Sequence, residues 1–241
     1  MDVRDHRILV MSAARDEEKN IGRVIDELKK VGLTDVVIVD DGSTDGTPRI
    51  LQARGITVLG NGAPQGLGSA ARSLFEYIRG RHYEIVVILA GNGKDKPGEI
   101  PRLLKPILEE GCDLVQGSRY LPGGGHSNMP LYRWVGTRFV YPLLFLLVTG
   151  RLMTDATNGF RAFKVNLLND PRINLFQGWL NQYELEPYIL YKAVTLGYKV
   201  KEVPVTKSYP ERGEQYTKMK PITGWWSILR PLVLLGLRIK N

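Results

Sequence analysis

The run Val39-Asp40-Asp41-Gly42-Ser43-Thr44-Asp45-Gly46-Thr47 puts two carboxylates directly after the β-rich run 35–39 (DVVIV). A buried strand that ends in acidic residues and turns into a helix carries them to the carboxyl edge of an α/β sheet, where such sheets bind ligands. Carboxylates there can accept hydrogen bonds from a base or a ribose, and Ser43 and Thr44 can cap the next helix. The same residues also make an ordinary Asp-Gly turn with an N-cap. A second group is cationic. Arg119 and Arg133 flank LPGGGHSNMP, residues 121–130, a glycine- and proline-rich loop expected to be mobile. Paired guanidinium groups suit a phosphate through bidentate bonds. Arg212 and Lys218 add charge from a later loop. Singly, each arginine reads as a solvated surface residue; beside apolar stretches, the set reads as a phosphate site. Gly91-Asn92-Gly93-Lys94 is not a P-loop, since Ile88 stands at the first glycine position and Asp95 follows the lysine.

These residues need a scaffold, and the patterning supplies one. Apolar, β-rich runs predict strands over 7–11, 35–39, 56–59, 84–90, 113–117 and 199–205. Helical spacing predicts helices over 17–30, 47–53, 69–79, 99–110 and 183–196, the first with acidic residues in its opening turn. Strands alternating with helices imply a largely parallel α/β sheet with helices on both faces. Residues 209–221 form a charged loop. No internal repeat or low-complexity segment is present, so we expect one domain over 1–221 with a C-terminal amphipathic, apolar helix over 222–241. Ser12-Ala13-Ala14-Arg15 after the first strand lacks the Gly-x-Gly-x-x-Gly of a dehydrogenase.

Composition narrows the partners. The 241 residues carry a formal net charge of +8, which favours polyanions: nucleic acid, anionic headgroups or phosphorylated substrates. No nucleic-acid motif accompanies the charge, and none is expected as a partner. One cysteine, Cys112, excludes a disulfide framework, and three scattered histidines make a histidine metal cluster improbable. The N-terminus is too charged for a signal peptide. No run reaches the ~18 uninterrupted apolar residues of a spanning helix. Residues 139–148 (FVYPLLFLLV) and 225–237 (WWSILRPLVLLGL) come part of the way. We expect them to rest in a membrane interface, 139–153 especially, with buried core helices as the alternative.

In order along residues 7–221, the chain resembles the family 2 glycosyltransferases, in particular the dolichyl- and polyprenyl-phosphate sugar synthases. Ala13-Ala14-Arg15-Asp16-Glu17 stands at their Pro-Ala-Tyr-Asn-Glu motif, and Val39–Thr47 matches their second-strand motif fully. Gln65-Gly66-Leu67-Gly68 looks like the glycine-rich donor segment. Gly117-Ser118-Arg119-Tyr120 and Pro130-Leu131-Tyr132-Arg133 take the form of the lipid-phosphate branch. Thr154–Arg161 and Arg212-Gly213-Glu214 with Thr217-Lys218 resemble the later motifs. The resemblance implies a GT-A fold. It implies a nucleotide and donor site at Ala13, Arg15, Asp16, Glu17, Asp40, Asp41, Gly42, Gly66, Asn92 and Asp95, and an acceptor-phosphate site at Arg119, Arg133 and Arg212. Lys94 and Lys218 would meet the diphosphate.

The resemblance also exposes a departure. The family holds a divalent cation with Asp-x-Asp-x-Gln, but here the stretch is Ala90-Gly91-Asn92-Gly93-Lys94. Magnesium wants anionic oxygen ligands, and a neutral amide beside an ammonium is a poor offer. A lysine can neutralise phosphate as a point cation. We therefore expect weak or absent dependence on Mg2+ or Mn2+, with Asn92, Asp95 or Asp41 left to recruit one in a rearranged geometry, and no organic cofactor. The alternative is a glycine turn in a protein that has lost catalysis. A phosphate monoester is largely dianionic at neutral pH and needs no general base; a hydroxyl acceptor would call on one such as Asp155. The expected activity is inverting transfer of a sugar from a GDP- or UDP-sugar to a polyprenyl or dolichyl phosphate, peripherally on the cytoplasmic face of a membrane, with or without a membrane subunit. The competing readings keep the fold with a soluble or glycan acceptor, or make the chain a non-catalytic nucleotide-sugar-binding subunit.

Overall fold

In the computed structural model, residues 6–60, 66–181, 183–210 and 221–240 are described, without the side chains of residues 67, 70 and 221–224. The apolar runs become β1 (Ile8–Ala14), β2 (Val36–Asp40), β3 (Thr57–Leu59), β4 (Ile85–Ile88), β5 (Leu114–Ser118), β7 (Arg161–Lys164) and β8 (Val200–Pro204), one sheet in the order β3-β2-β1-β4-β7-β5-β8. All its pairings are parallel except those of β7, which runs antiparallel between β4 and β5. A second sheet pairs β6 (Gly125–Ser127) with β9 (Thr206–Ser208).

Period-two alternation builds two cores. Ile8, Val10, Val36 and Ile38 face α1 (Ile21–Lys30), α2 (Thr47–Ala53) and α4 (Ile100–Glu110). Leu9, Met11, Val37 and Val39 face α3 (Leu67–Ile78), α6 (Tyr141–Thr149), α7 (Leu185–Thr195) and α8 (Pro221–Gly236). The last helix inserts Leu232 and Leu235 into this second core and leaves Trp226 exposed. The mostly parallel sheet with helices on both faces is the expected fold.

Three local readings change. Residues 17–20 are not the start of α1, which begins at Ile21 with no acidic residue in its first turn. Asp16 takes a left-handed φ of 51°, and loop–loop hydrogen bonds hold the peptides that follow in a turn. β7 was not anticipated, because Arg-Ala-Phe-Lys has charges at both ends. It is buried by strands on either side, and Arg161, 2% exposed, donates to the carbonyls of Asn158 and Glu186. The glycine-rich loop is not wholly irregular, since its residues 125–127 form β6.

The apolar segment is longer than expected. α5 (Leu131–Val135), a π-helical turn (Gly136–Val140) and α6 join into one helix, Leu131–Thr149, long and apolar enough to cross a membrane by length and composition. Arg138 and Pro142 interrupt the sequence run. The π turn lies just before the proline, where a widened turn accommodates a missing amide donor. Leu131, Val135, Phe139, Leu143 and Leu147 are exposed along one side, while Thr137, Tyr141 and Phe145 are buried on the other.

Candidate active site

Two loops at the carboxyl edge of the sheet are bound to each other. Asp40 Oδ1 accepts the amide and hydroxyl protons of Ser43, and Ser43 Oγ accepts the amide of Asp16 at 3.0 Å. Asp16 Oδ1 accepts Thr44 N–H at 2.8 Å, Thr47 Oγ1 accepts Glu17 N–H at 2.8 Å, and Glu18 Oε2 accepts Gly46 N–H at 2.8 Å. Ser43 and Thr44 therefore tie the loops together instead of capping α2, whose N-cap is Gly46. Asp41 Oδ1 accepts the amide of Gly66 at 3.0 Å, which brings the glycine-rich segment before α3 to the same edge. Gly42 and Gly66 have φ of 75° and 90°, conformations that side chains disfavour. Arg15 lies 3.9 Å from Asp16, and Ala13 pairs with Val39 in the sheet.

The turn after β4 packs on this edge. A Cβ on Gly91 would come within 3.0 Å of the Ala13 carbonyl. Asn92 Oδ1 accepts the amide of Lys94 at 3.2 Å. Asp95, 2% exposed, closes the turn by accepting Ala90 N–H at 2.9 Å, and its other oxygen meets Lys207 Nζ at 2.7 Å. Lys207 Nζ also reaches Asn158 Oδ1 at 3.0 Å.

Tyr209 gathers the expected cations. Lys94 Nζ and the guanidinium carbon of Arg133 each lie 5.6 Å from its ring centroid, and its hydroxyl accepts Arg119 Nη1–H at 2.7 Å. Burial, then the charges of Lys207 and Arg133, pull the Lys94 ammonium down to about 8, against the opposing pull of Glu17 and Asp95. Tyr209 thus joins the Lys94 turn to both arginines, and the charge of Glu17 reaches Lys94 from the loop after β1.

Two assignments need correction. Arg119 is 3% exposed and spends its donors internally: Nε and Nη2 on Asp155 at 2.6 Å each, Nη2 also on Thr157 and Nη1 on Tyr209. Burial alone would lower its pKa, but the Asp155 carboxylate more than reverses this. Four of its five N–H groups are so occupied, so Arg119 is held inside the fold and not directed at a ligand. Asp155, fully buried and bound to Arg119, is in no position to serve as a base. Arg212 and Lys218 lie outside the described residues.

Lys207 and Tyr209 escaped sequence reasoning. A signal was present: Val203, Val205, Lys207 and Tyr209 share one side of an extended chain, and the first two and the last are buried. A lysine in that row must find a partner inside. Among the described residues no group of three His, Cys, Asp or Glu side chains could hold a metal ion.

Residues 10–170 match the family model for Glycosyl transferase family 2. An undecaprenyl-phosphate mannosyltransferase of Micrococcus luteus is 30% identical over 218 residues, covering 86% of this chain and 86% of the relative. A polyprenol monophosphomannose synthase of Mycolicibacterium smegmatis is 31% identical over 218 residues, covering 86% and 79%. Glucosyl-3-phosphoglycerate synthase from Mycobacterium tuberculosis, solved with Mn2+, UDP-glucose and phosphoglyceric acid, is similar at a TM-score of 0.70 over 98% of this chain and 81% of that one; at 20% identity the likeness is one of fold. The chain belongs to glycosyl transferase family 2 and is a glycosyltransferase of GT-A fold.

Proposed function

We propose that this protein transfers a sugar, with inversion, from a nucleotide sugar to a polyprenyl or dolichyl phosphate at a membrane surface. One observation carries the reading: the Lys94–Arg119–Arg133 cluster around Tyr209 sits at the first turn of a helix whose apolar side is exposed. Arg133 stands in the first turn of that helix, so a lipid resting along Val135, Phe139 and Leu143 would present its phosphate at the end of the helix that carries the guanidinium. The two relatives named above act on such lipid phosphates by name.

The chemistry asks little of the protein beyond orientation and charge. A phosphate oxygen attacks the anomeric carbon as the bond to the donor diphosphate breaks, and the electron pair leaves with the nucleoside diphosphate. No proton need move. Asp40, Asp41, Gly42, Gly66, Ala13, Arg15, Asp16 and Glu17 would line the nucleotide, Lys94 would stabilise the departing charge, and Arg133 would hold the attacking phosphate. Arg212 and Lys218 are proposed as further cations. The enzyme would act on the cytoplasmic face.

The mycobacterial synthase carries Mn2+ with its UDP-glucose. The matching residues here do not fit such an ion: Asp95 has both oxygens engaged by Ala90 and Lys207, and Asn92 Oδ1 is engaged by Lys94. The test is turnover of radiolabelled GDP- and UDP-sugars with polyprenyl phosphate in vesicles. Labelled lipid is expected; label in a soluble glycan alone, or in neither, overturns the reading.

A further inference from the structure

We infer that Lys207 is a built-in counter-ion to Asp95, and that this pair stands where a divalent cation and its carboxylates would otherwise balance the donor diphosphate. The inference rests on the nucleotide-sugar reading above and extends it to a residue outside every matched motif.

Asp95 is buried on the turn after β4, the turn that approaches the nucleotide edge at Ala13. Its carboxylate meets Lys207 Nζ at 2.7 Å, and the two residues form an antiparallel β-bridge. Ser208 N–H donates to the Lys94 carbonyl at 2.9 Å, so the strand that brings Lys207 also fixes the backbone of Lys94. The Asn158 amide oxygen holds the same ammonium at 3.0 Å. Lys207 is thus ligated by a carboxylate and an amide oxygen, hard donors of the kind that hold Mg2+ or Mn2+. A buried carboxylate beside a diphosphate site would repel the ligand unless neutralised. Lys207 cancels that charge and leaves Lys94 as the net positive charge of the turn. Lys207 is a positioning residue: it sets the field and the turn without touching the substrate.

Removing the lysine should therefore expose a metal site. With Lys207→Met, Asp95 and Asn158 offer their oxygens to a cation. Lys207→Gln, which keeps a hydrogen-bond donor towards Asp95, serves if the methionine variant does not fold. The double variant Asp95→Asn/Lys207→Met removes both charges and should restore the wild-type balance. The probes are GDP and UDP, with GMP and UMP as controls, measured by calorimetry in excess EDTA and again with Mn2+, and Mn2+ itself by electron paramagnetic resonance.

Wild type is expected to bind the cognate diphosphate in EDTA and to gain less than about twofold from Mn2+. The single variant should bind it about tenfold more weakly in EDTA, regain affinity with Mn2+ and bind Mn2+ directly. The double variant should behave as wild type in both media. The inference is overturned if wild type binds diphosphate only with Mn2+, if the single variant matches wild type in EDTA, if Mn2+ fails to restore it, or if the double variant stays as weak as the single. Binding of neither diphosphate under any condition would instead sink the nucleotide-sugar reading. Absent lipid transfer with these binding results intact would remove only the acceptor assignment.

Discussion

The two halves of the site are built in opposite ways. On the proposed nucleotide side, Asp40 ends β2 and Asp41 and Asp16 follow adjacent strands, and their carboxylates accept hydrogen bonds from neutral amides and hydroxyls. On the proposed phosphate side, Lys94, Arg119, Arg133, Lys207 and Tyr209 come from separate stretches of the chain, and buried ion pairs hold two of them: Arg119 to Asp155, and Lys207 to Asp95. The first half is a local motif set by backbone geometry. The second is a charge balance closed only when β5, β7, β8 and β9 have assembled. Neutral hydrogen bonds cost little to place near water, whereas buried ions destabilise unless each finds its partner. The phosphate side should therefore be where function and stability pull apart.

Lys94 gives that contrast its largest expected effect. Lys94→Met should lower kcat by about 100- to 1,000-fold, the usual cost of deleting a group that meets developing negative charge. The same change should stabilise the ligand-free fold. Its folded pKa, about 8, lies below the ordinary lysine value of 10.5 because burial, Lys207 and Arg133 oppose the proton. The unfolded chain therefore binds that proton more tightly, and stability rises as pH goes from about 8 towards 10.5. At neutral pH the methionine variant should melt about 2–4 °C higher for each kcal/mol of relieved penalty. In wild type, kcat/KM should fall as pH rises through about 8, since that profile reports the free enzyme. Lys94→Arg should move the alkaline limb out of range. A kcat/KM profile flat through this region, or a methionine variant with wild-type kcat, would break the comparison.

Paired asparagine substitutions test the two halves against each other. Asp155→Asn leaves Arg119 buried without an anion and should cost about 3–5 kcal/mol of stability. Asp40→Asn sits at the half-buried end of β2 and should cost less than about 1 kcal/mol. It should instead raise the donor KM by about tenfold, through weakened hydrogen bonding to a charged acceptor. Denaturant unfolding together with donor titration separates the outcomes; equal stability losses would remove the contrast between the two halves.

Sequence reasoning reached these halves unequally, for the same physical reason. Val39–Thr47 could be read directly, because strand, turn and carboxylates are contiguous and their geometry is local. Lys94, Arg119 and Arg133 could be nominated by type and by their motifs, but a guanidinium reads identically whether it faces a phosphate or Asp155. Only the 36-residue separation closed by β7 decides that Arg119 is internally paired. β7 itself was hidden because its ends are charged, and the helix over 131–149 because a π turn carries it past Pro142. Lys207 was legible in principle, as a lysine in an inward row otherwise made of Val203, Val205 and Tyr209.

Tyr209 offers the finest test, because one side chain touches three cations by two kinds of contact. Its backbone is anchored separately, by its N–H on Ser127 and by Asn128 Nδ2 on its carbonyl, so ring substitutions should leave the chain path intact. Tyr209→Phe keeps the ring beneath Lys94 and Arg133 and removes only the hydroxyl that receives Arg119. It should lower kcat/KM for the lipid phosphate by about 3- to 10-fold, the worth of one hydrogen bond. Tyr209→Leu also removes the ring and should add a further loss of about 2- to 5-fold per cation left without it. Tyr209→Leu also takes the ring from Lys94 and should raise the donor KM as well, whereas the Tyr209→Phe loss should appear in the acceptor KM and leave the donor KM within about twofold, because the hydroxyl orients only the arginine side of the cluster. If the donor KM of Tyr209→Phe rises in step with the acceptor KM, the two halves are one cooperative unit, and the division between a locally built nucleotide side and an assembled phosphate side fails.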